Sequence, residues 1–307
     1  MMKRFCQILI LPVLSGAMLW LLADSAHLRS AAAEALSLCA RSVIPALFPF
    51  LAVSSMLVRL GFAERITPWC AGLMTSLFHL PGCAGSALVL GLIAGYPVGA
   101  RTAGDLYRSR LLTREEAQRL TAFCNNSNPV FLISVLGGGI FHSTRIGLWL
   151  WLIHIASAML TGLLFCGRPM PASRRHVPQP PIPVSCSLSA AFVASVRSAG
   201  ETMLTVCSFV TLFYVLASPL SSLPVPVGAA LTGCLELFSL TPLLTDDAVS
   251  FVLAAGCSGW GSLSVLCQTA AVLEDSGLSL RSCALGKLYQ GLLSVLLAIP
   301  ASLWLFP

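Results

Sequence analysis

The sequence predicts an all-α, polytopic integral membrane protein of about 8–10 membrane segments, some broken or re-entrant, built as two inverted repeats. Composition is the first ground for this. Of 307 residues, 56% are hydrophobic and only 10% charged, with mean hydropathy +0.86, whereas soluble domains carry about 25% charged residues. The second ground is length. Runs able to cross a hydrocarbon core, which takes about 17–25 residues, lie at 5–23, 42–61, 146–166, 203–219, 223–240, 248–272 and 285–306, with shorter or broken ones at 68–80, 84–100 and 129–141. The third is interruption: glycine, proline and amide residues break the apolar sequence at corresponding places in the two halves. Paired breaks of this kind point to a transporter's binding site.

Taken in order, Lys3-Arg4 precedes the first apolar run as they would in a secretory signal. No Ala-x-Ala site stands before Asp24 and further spans follow, so residues 1–30 read as a retained transmembrane helix. The second segment carries Pro45 and Pro49, which predict a kink near Ile44 to Phe48, because proline removes a backbone bond and crowds the preceding turn. Residues 68–100 form two short arms around Leu80-Pro81-Gly82 and read as a hairpin that dips in and returns. Gly91, Gly95 and Gly99, at four-residue spacing, place bare backbone on one helix face and admit another helix or a ligand.

The next stretch holds Arg101, Arg108, Arg110, Arg114 and Arg119, and a later one Arg168, Arg174 and Arg175. Short basic loops face the cytoplasm. Within the first, Thr113-Arg114-Glu115-Glu116 fits a capping box that opens a short surface helix, its charges forming a solvated face. His154, deep in the following apolar run, reads as a hydrogen-bonded structural histidine. The proline-rich segment 168–187 is a stiff cytoplasmic linker dividing a first repeat, 31–167, from a second, 188–307.

The halves echo one another. Arg41-Ser42 is matched by Arg197-Ser198, and Leu132-Ile133-Ser134-Val135-Leu136 by Ser262-Leu263-Ser264-Val265-Leu266. Ahead of those runs, Asn125-Asn126-Ser127-Asn128-Pro129 corresponds to Ala255-Gly256-Cys257-Ser258-Gly259-Trp260-Gly261, and the Gly91 to Gly99 element to Gly233-Cys234-Leu235-Glu236-Leu237-Phe238-Ser239. Loop charges send the Arg41 helix inward and the Arg197 helix outward, hence the inversion.

Chemically, Asn125 to Asn128 supply amide and hydroxyl donors, and Pro129 suits a first helical position with Asn128 as its cap. A helix start with free N–H groups favours an anion. Glu236 is the carboxylate deepest in an apolar run. Such residues face a cavity or a partner, so proton coupling and a structural pairing with Arg197 or Gln268 are both open. Enzyme motifs are missing: no Gly-x-Ser-x-Gly, no His-Glu-x-x-His and no phosphate loop, so no catalytic residue, metal or cofactor is expected. The twelve cysteines are scattered singly and read as core residues. The net charge of +6 sits in short loops and implies no nucleic-acid partner.

Gly95-Tyr96-Pro97-Val98-Gly99-Ala100, Phe123-Cys124-Asn125-Asn126-Ser127-Asn128-Pro129, and Gly259-Trp260-Gly261-Ser262-Leu263-Ser264-Val265 with Gln268 resemble the YlbJ-type sporulation integral membrane proteins, which carry the nucleoside recognition or Gate domain. The resemblance spans about Ala35 to Ala298. It departs from the family pattern at Asn128 and Ser262, where glycine is expected. It implies a multi-pass transporter in a bacterial cell membrane, the one surrounding the forespore, moving dipicolinate, a small anionic solute, into the developing spore. The alternatives it leaves are a nucleoside or other small-solute transporter and a non-transporting component of a sporulation assembly. Its partners would be the lipid bilayer and the solute, with self-association or other sporulation membrane proteins left open. Interruptions and motifs together nominate Gly95, Tyr96, Pro97, Gly99, Asn125, Asn126, Ser127 and Asn128 from the first half. From the second they nominate Glu236, Ser258, Gly259, Gly261, Ser262 and Gln268.

Overall fold

The computed structural model describes residues 2–167 and 187–306. The predicted linker falls outside them except for its last residue. Helix α1 (Met2–Ala23) is followed by α2 (Ser25–Leu38), which passes through a π-helical turn at Cys39–Val43 into α3 (Ile44–Arg59). The distortion expected at Ile44 to Phe48 thus lies about one turn earlier. Pro45 has no N–H to offer the carbonyl four residues back, and the widened turn takes up that lost bond.

Past Gly61, which takes a left-handed conformation, come α4 (Phe62–Ser76), α5 (Ala84–Ala94), α6 (Val98–Arg108) and α7 (Arg114–Thr121). The hairpin is real but its tip is elsewhere. Leu80-Pro81-Gly82 joins α4 to α5, whereas the re-entrant pair is α5 and α6, reversed at Gly95–Tyr96–Pro97 with a cis Tyr96–Pro97 bond. The three glycines therefore do not share one helix face. Gly91 and Gly99 meet across the tip, a Cβ on Gly91 falling 3.2 Å from the Gly99 Cα.

An irregular stretch, Cys124 to Asn128, leads into a π-helix, Val130–Ile140, and then α8 (Thr144–Leu164). The second half holds α9 (Leu188–Ala217), α10 (Val225–Leu235), the one-turn α11 (Leu237–Leu240), α12 (Ala248–Trp260), α13 (Leu263–Leu273) and α14 (Leu280–Leu305). Among the described residues, five helical stretches are long and apolar enough to cross a membrane: Ser25–Leu57, Thr144–Leu164, Leu188–Leu220, Ala248–Ser276 and Leu280–Leu305. Shorter apolar helices, Leu14–Ala23, Ala84–Ala94, Val130–Ile140 and Pro226–Leu235, supplement them. This is an all-α, multi-pass membrane protein.

Loop contacts define two ends. At the arginine-rich end, Arg119 donates to the His79 carbonyl (3.3 Å), the His79 ring meets the Gly167 carbonyl (2.8 Å), and Arg114 donates to the Gly277 carbonyl (3.2 Å). At the opposite end Phe141, Phe251 and Phe306 cluster, and Arg145 stacks on Trp304 at 4.4 Å. The arginine-rich segment is accordingly more than a solvated face. Arg101 also reaches Ser198 of α9 (3.2 Å), and Glu116 is buried in the predicted capping box, accepting from the Thr113 N–H at 2.8 Å. A buried charge needs such partners, and the box supplies them.

Helices α2 and α3 lie antiparallel to α9: Glu34 accepts from Tyr214 (3.2 Å), and Val43 and Leu47 pack with Met203, Val206 and Val210. The stretch Ala248–Ser276 is the central one, with 67% of its apolar window buried against 22% for Ser25–Leu57. It is held chiefly by α14.

Candidate functional site

Four breaks in helical backbone occur within the bundle. The hairpin tip Gly95–Pro97 enters from the arginine-rich end. From the opposite end α10 enters, stops at Glu236, whose backbone is extended (φ −149°, ψ 124°), and returns through α11. The third break is Cys124 to Asn128, between α7 and the π-helix. The fourth is Gly261–Ser262, both with positive φ (84° and 87°), between α12 and α13. Backbone of this kind survives at membrane depth only where it lines a cavity or is buried in protein.

A cavity of about 30 Å³ lies where they meet, lined by Tyr96, Ser127, Asn128, Glu236 and Gln268 among apolar walls from Leu47, Phe131, Val206, Phe238 and Val265. Ser127 and Tyr96 both face it. Asn128 accepts from the Phe131 N–H through Oδ1 (2.8 Å), which caps the π-helix as its sequence suggests. Glu236 is 1% exposed, and its Oε2 accepts both the Ser239 N–H (2.6 Å) and the Ser239 hydroxyl (2.9 Å). Its partner is thus its own one-turn helix, not Arg197. Gln268 shares the cavity but donates to Ser264 (3.3 Å).

Behind the cavity wall a fully buried polar network ties the breaks together. The Asn125 amide donates to Thr269 (2.8 Å), and the Asn126 amide to the Phe123 carbonyl (2.8 Å) while its Oδ1 accepts from Gln290 (3.0 Å). The Ser127 N–H donates to His154 Nε2 (3.0 Å), so His154 is hydrogen-bonded as expected. Lys287 Nζ donates to the Asn125 carbonyl (2.8 Å) and to Gln290 Oε1 (2.7 Å). Tyr96 donates to the Ser258 carbonyl (2.7 Å), which fastens the hairpin tip to α12.

Other nominated residues pack rather than line. Gly95 sits against Asn128, with a Cβ 2.9 Å from that residue's own, and Gly99 against the Cys124 carbonyl. Gly259 faces α14, and a Cβ there would lie 2.9 Å from the Gly291 Cα. Gly261 holds its positive φ beside Tyr96 and Lys287, each 3.2 Å from its Cβ position. Ser262 caps α13 by accepting from the Val265 N–H (3.3 Å), and Pro97 begins α6. Sequence reasoning passed over Lys287, Gln290 and Thr269. Lys287 lies near the start of an apolar run, where a lysine normally snorkels to the interface. Only the fold shows it turned inward.

Comparison with known proteins bears on this site. The family described as nucleoside recognition (Gate) matches residues 40–178, a stretch containing the hairpin and the asparagine-rich break. The chain is a multi-pass membrane protein that matches the Gate domain over those residues. It is 26% identical over 290 residues to the sporulation integral membrane protein YlbJ of Bacillus subtilis (strain 168), covering 81% of this chain and 71% of that one. A second similarity, 40% over 76 residues, is to callose synthase 9 of Arabidopsis thaliana, of which it covers 4%. Too little of that enzyme is matched to carry an argument. No solved structure matches. Glu236 and Gln268 of the second half lie beyond the Gate match, yet the fold brings them onto the cavity that Tyr96, Ser127 and Asn128 line.

Proposed function

We propose that this membrane protein is a transporter, not an enzyme, and carries a small anionic solute, with dipicolinate moving into the developing spore as its cargo. One observation carries the reading: three helix breaks, two of them hairpins entering from opposite ends, place Tyr96, Ser127, Asn128 and Glu236 around one cavity, with Gln268 of α13 beside them. That is the arrangement two inverted repeats create around a midplane site, and a scaffold has no need of it. The donor set favours an anion, because amide and hydroxyl groups cluster at the start of the π-helix. The sporulation relative supports the setting, a membrane around the forespore.

The test is uptake by purified protein in liposomes, with labelled dipicolinate and labelled uridine supplied separately. Saturable dipicolinate uptake, at least tenfold above protein-free liposomes and above uridine, is expected. Uridine uptake without dipicolinate uptake would transfer the site to a nucleoside. Uptake of neither would leave a non-transporting membrane component.

A further inference from the structure

Lys287 is fully buried, and among the described residues no carboxylate lies within 4.0 Å of it, the one ion pair being Arg108 with Asp105. An ammonium group in such a place is costly unless something answers its charge. Its two hydrogen bonds go to neutral oxygens, Asn125 O and Gln290 Oε1, which solvate the charge without neutralising it. A methionine or leucine would fill the same space without that cost.

Its position suggests what the charge is for. Lys287 Nζ lies 5.0 Å from the centre of the Tyr96 ring, and Lys287 Cε stands 3.2 Å from where a Cβ on Gly261 would lie, at the break between α12 and α13. Asn125, its acceptor, belongs to the break between α7 and the π-helix, and Tyr96 to the hairpin tip. The lysine therefore stands where three of the four breaks meet. Tyr96 is the shared wall: it lies against the ammonium and also lines the cavity with Ser127, Asn128, Glu236 and Gln268. Across one aromatic ring in a water-poor interior, attraction between unit charges is only weakly screened.

We infer that Lys287 is the counter-charge of the solute site, selecting carboxylate-bearing solutes over neutral ones of the same shape. This rests on the transporter reading above. Glu236, the carboxylate that lines the same cavity, is taken up by the Ser239 N–H and hydroxyl, so it is the solute's own carboxylate that answers the buried ammonium across Tyr96, which a neutral solute cannot do. Discrimination thus comes from a group behind the wall, while the amides and hydroxyls in front of it set orientation.

The experiment uses the full-length protein in liposomes, labelled dipicolinate, and two competitors: unlabelled dipicolinate and its neutral isostere, pyridine-2,6-dicarboxamide. In the wild type the dicarboxylate should compete at least tenfold more strongly than the diamide. Lys287→Met should cut dipicolinate uptake at least tenfold and bring the two competitors within about threefold, while Lys287→Arg keeps the preference. A Lys287→Met protein that transports dipicolinate with undiminished preference overturns the inference and leaves the transporter reading standing. If the neutral variant fails to accumulate, the wild type alone decides, since equal competition by the diamide overturns the inference just as surely. Absence of uptake in the wild type sinks the transporter reading, and this inference with it.

Discussion

At the scale of single residues, the glycines around the asparagine-rich break explain how so many polar groups can crowd together at membrane depth. A Cβ on Gly91 or Gly99 would fall inside the Cys124 carbonyl, and one on Gly286 inside the Ala122 carbonyl, so bare backbone on three helices receives two carbonyl groups two residues apart. Close approach between small residues is how helices associate where lipid offers no hydrophobic drive. Gly91→Ala is expected to lower stability by about 1–3 kcal/mol, as overpacking does. Gly72→Ala, with nothing within 4 Å of its Cβ, should be neutral or slightly stabilising. Thermal unfolding of the two variants in detergent, side by side, checks this. The spacing of Gly91, Gly95 and Gly99 advertised a close approach, but spacing alone could not say that the approaching group was a carbonyl, because that depends on where the hairpin turns.

At the scale of elements, what the sequence revealed was what short-range chemistry controls. The Thr113 capping box and the Asn128 cap depend on residues three apart and are found where expected. The π-helix Val130–Ile140 and the displaced hairpin tip depend on what each segment packs against, and no local pattern announces them. The entry to α12 gives an element-scale prediction. Asp247 caps it, accepting from Thr245 and from the Ser250 N–H (2.8 Å), and these bonds, that from Thr245 foremost, hold its carboxyl below the usual value. A depressed folded-state value means that the cap's stabilisation is present above the unfolded carboxyl value, about 4, and is lost as pH falls through the folded one. The group is only partly buried, so solvent still screens the effect. The melting-temperature difference between wild type and Asp247→Asn should therefore be small but measurable at pH 6 and shrink towards zero below about pH 4.

At the scale of the whole molecule, composition settled the class, whereas the encounter of Lys287 with Asn125, 162 residues apart, emerged only from the fold. Orientation is directly testable. In a background without reactive native thiols, Ser222→Cys at the end opposite the arginines should label with an impermeant maleimide in intact cells, and Ser109→Cys only after permeabilisation. Labelling of Ser109→Cys from outside would reverse the orientation. The carbonyl-to-glycine contacts also bear on motion. They weld the α5–α6 hairpin, the asparagine-rich break and the start of α14 into one keel, backbone against backbone, with no side chain between them able to change rotamer. On the other flank the cavity is closed by the one-turn α11, fastened through Glu236 and Ser239, and Ser239 also borders a second, larger cavity of about 160 Å³ beside His27, Glu34 and Tyr214. Under the transporter reading proposed above, a bundle welded on one side and latched on the other is expected to open at the latch, with the solute reaching the site through that outer chamber.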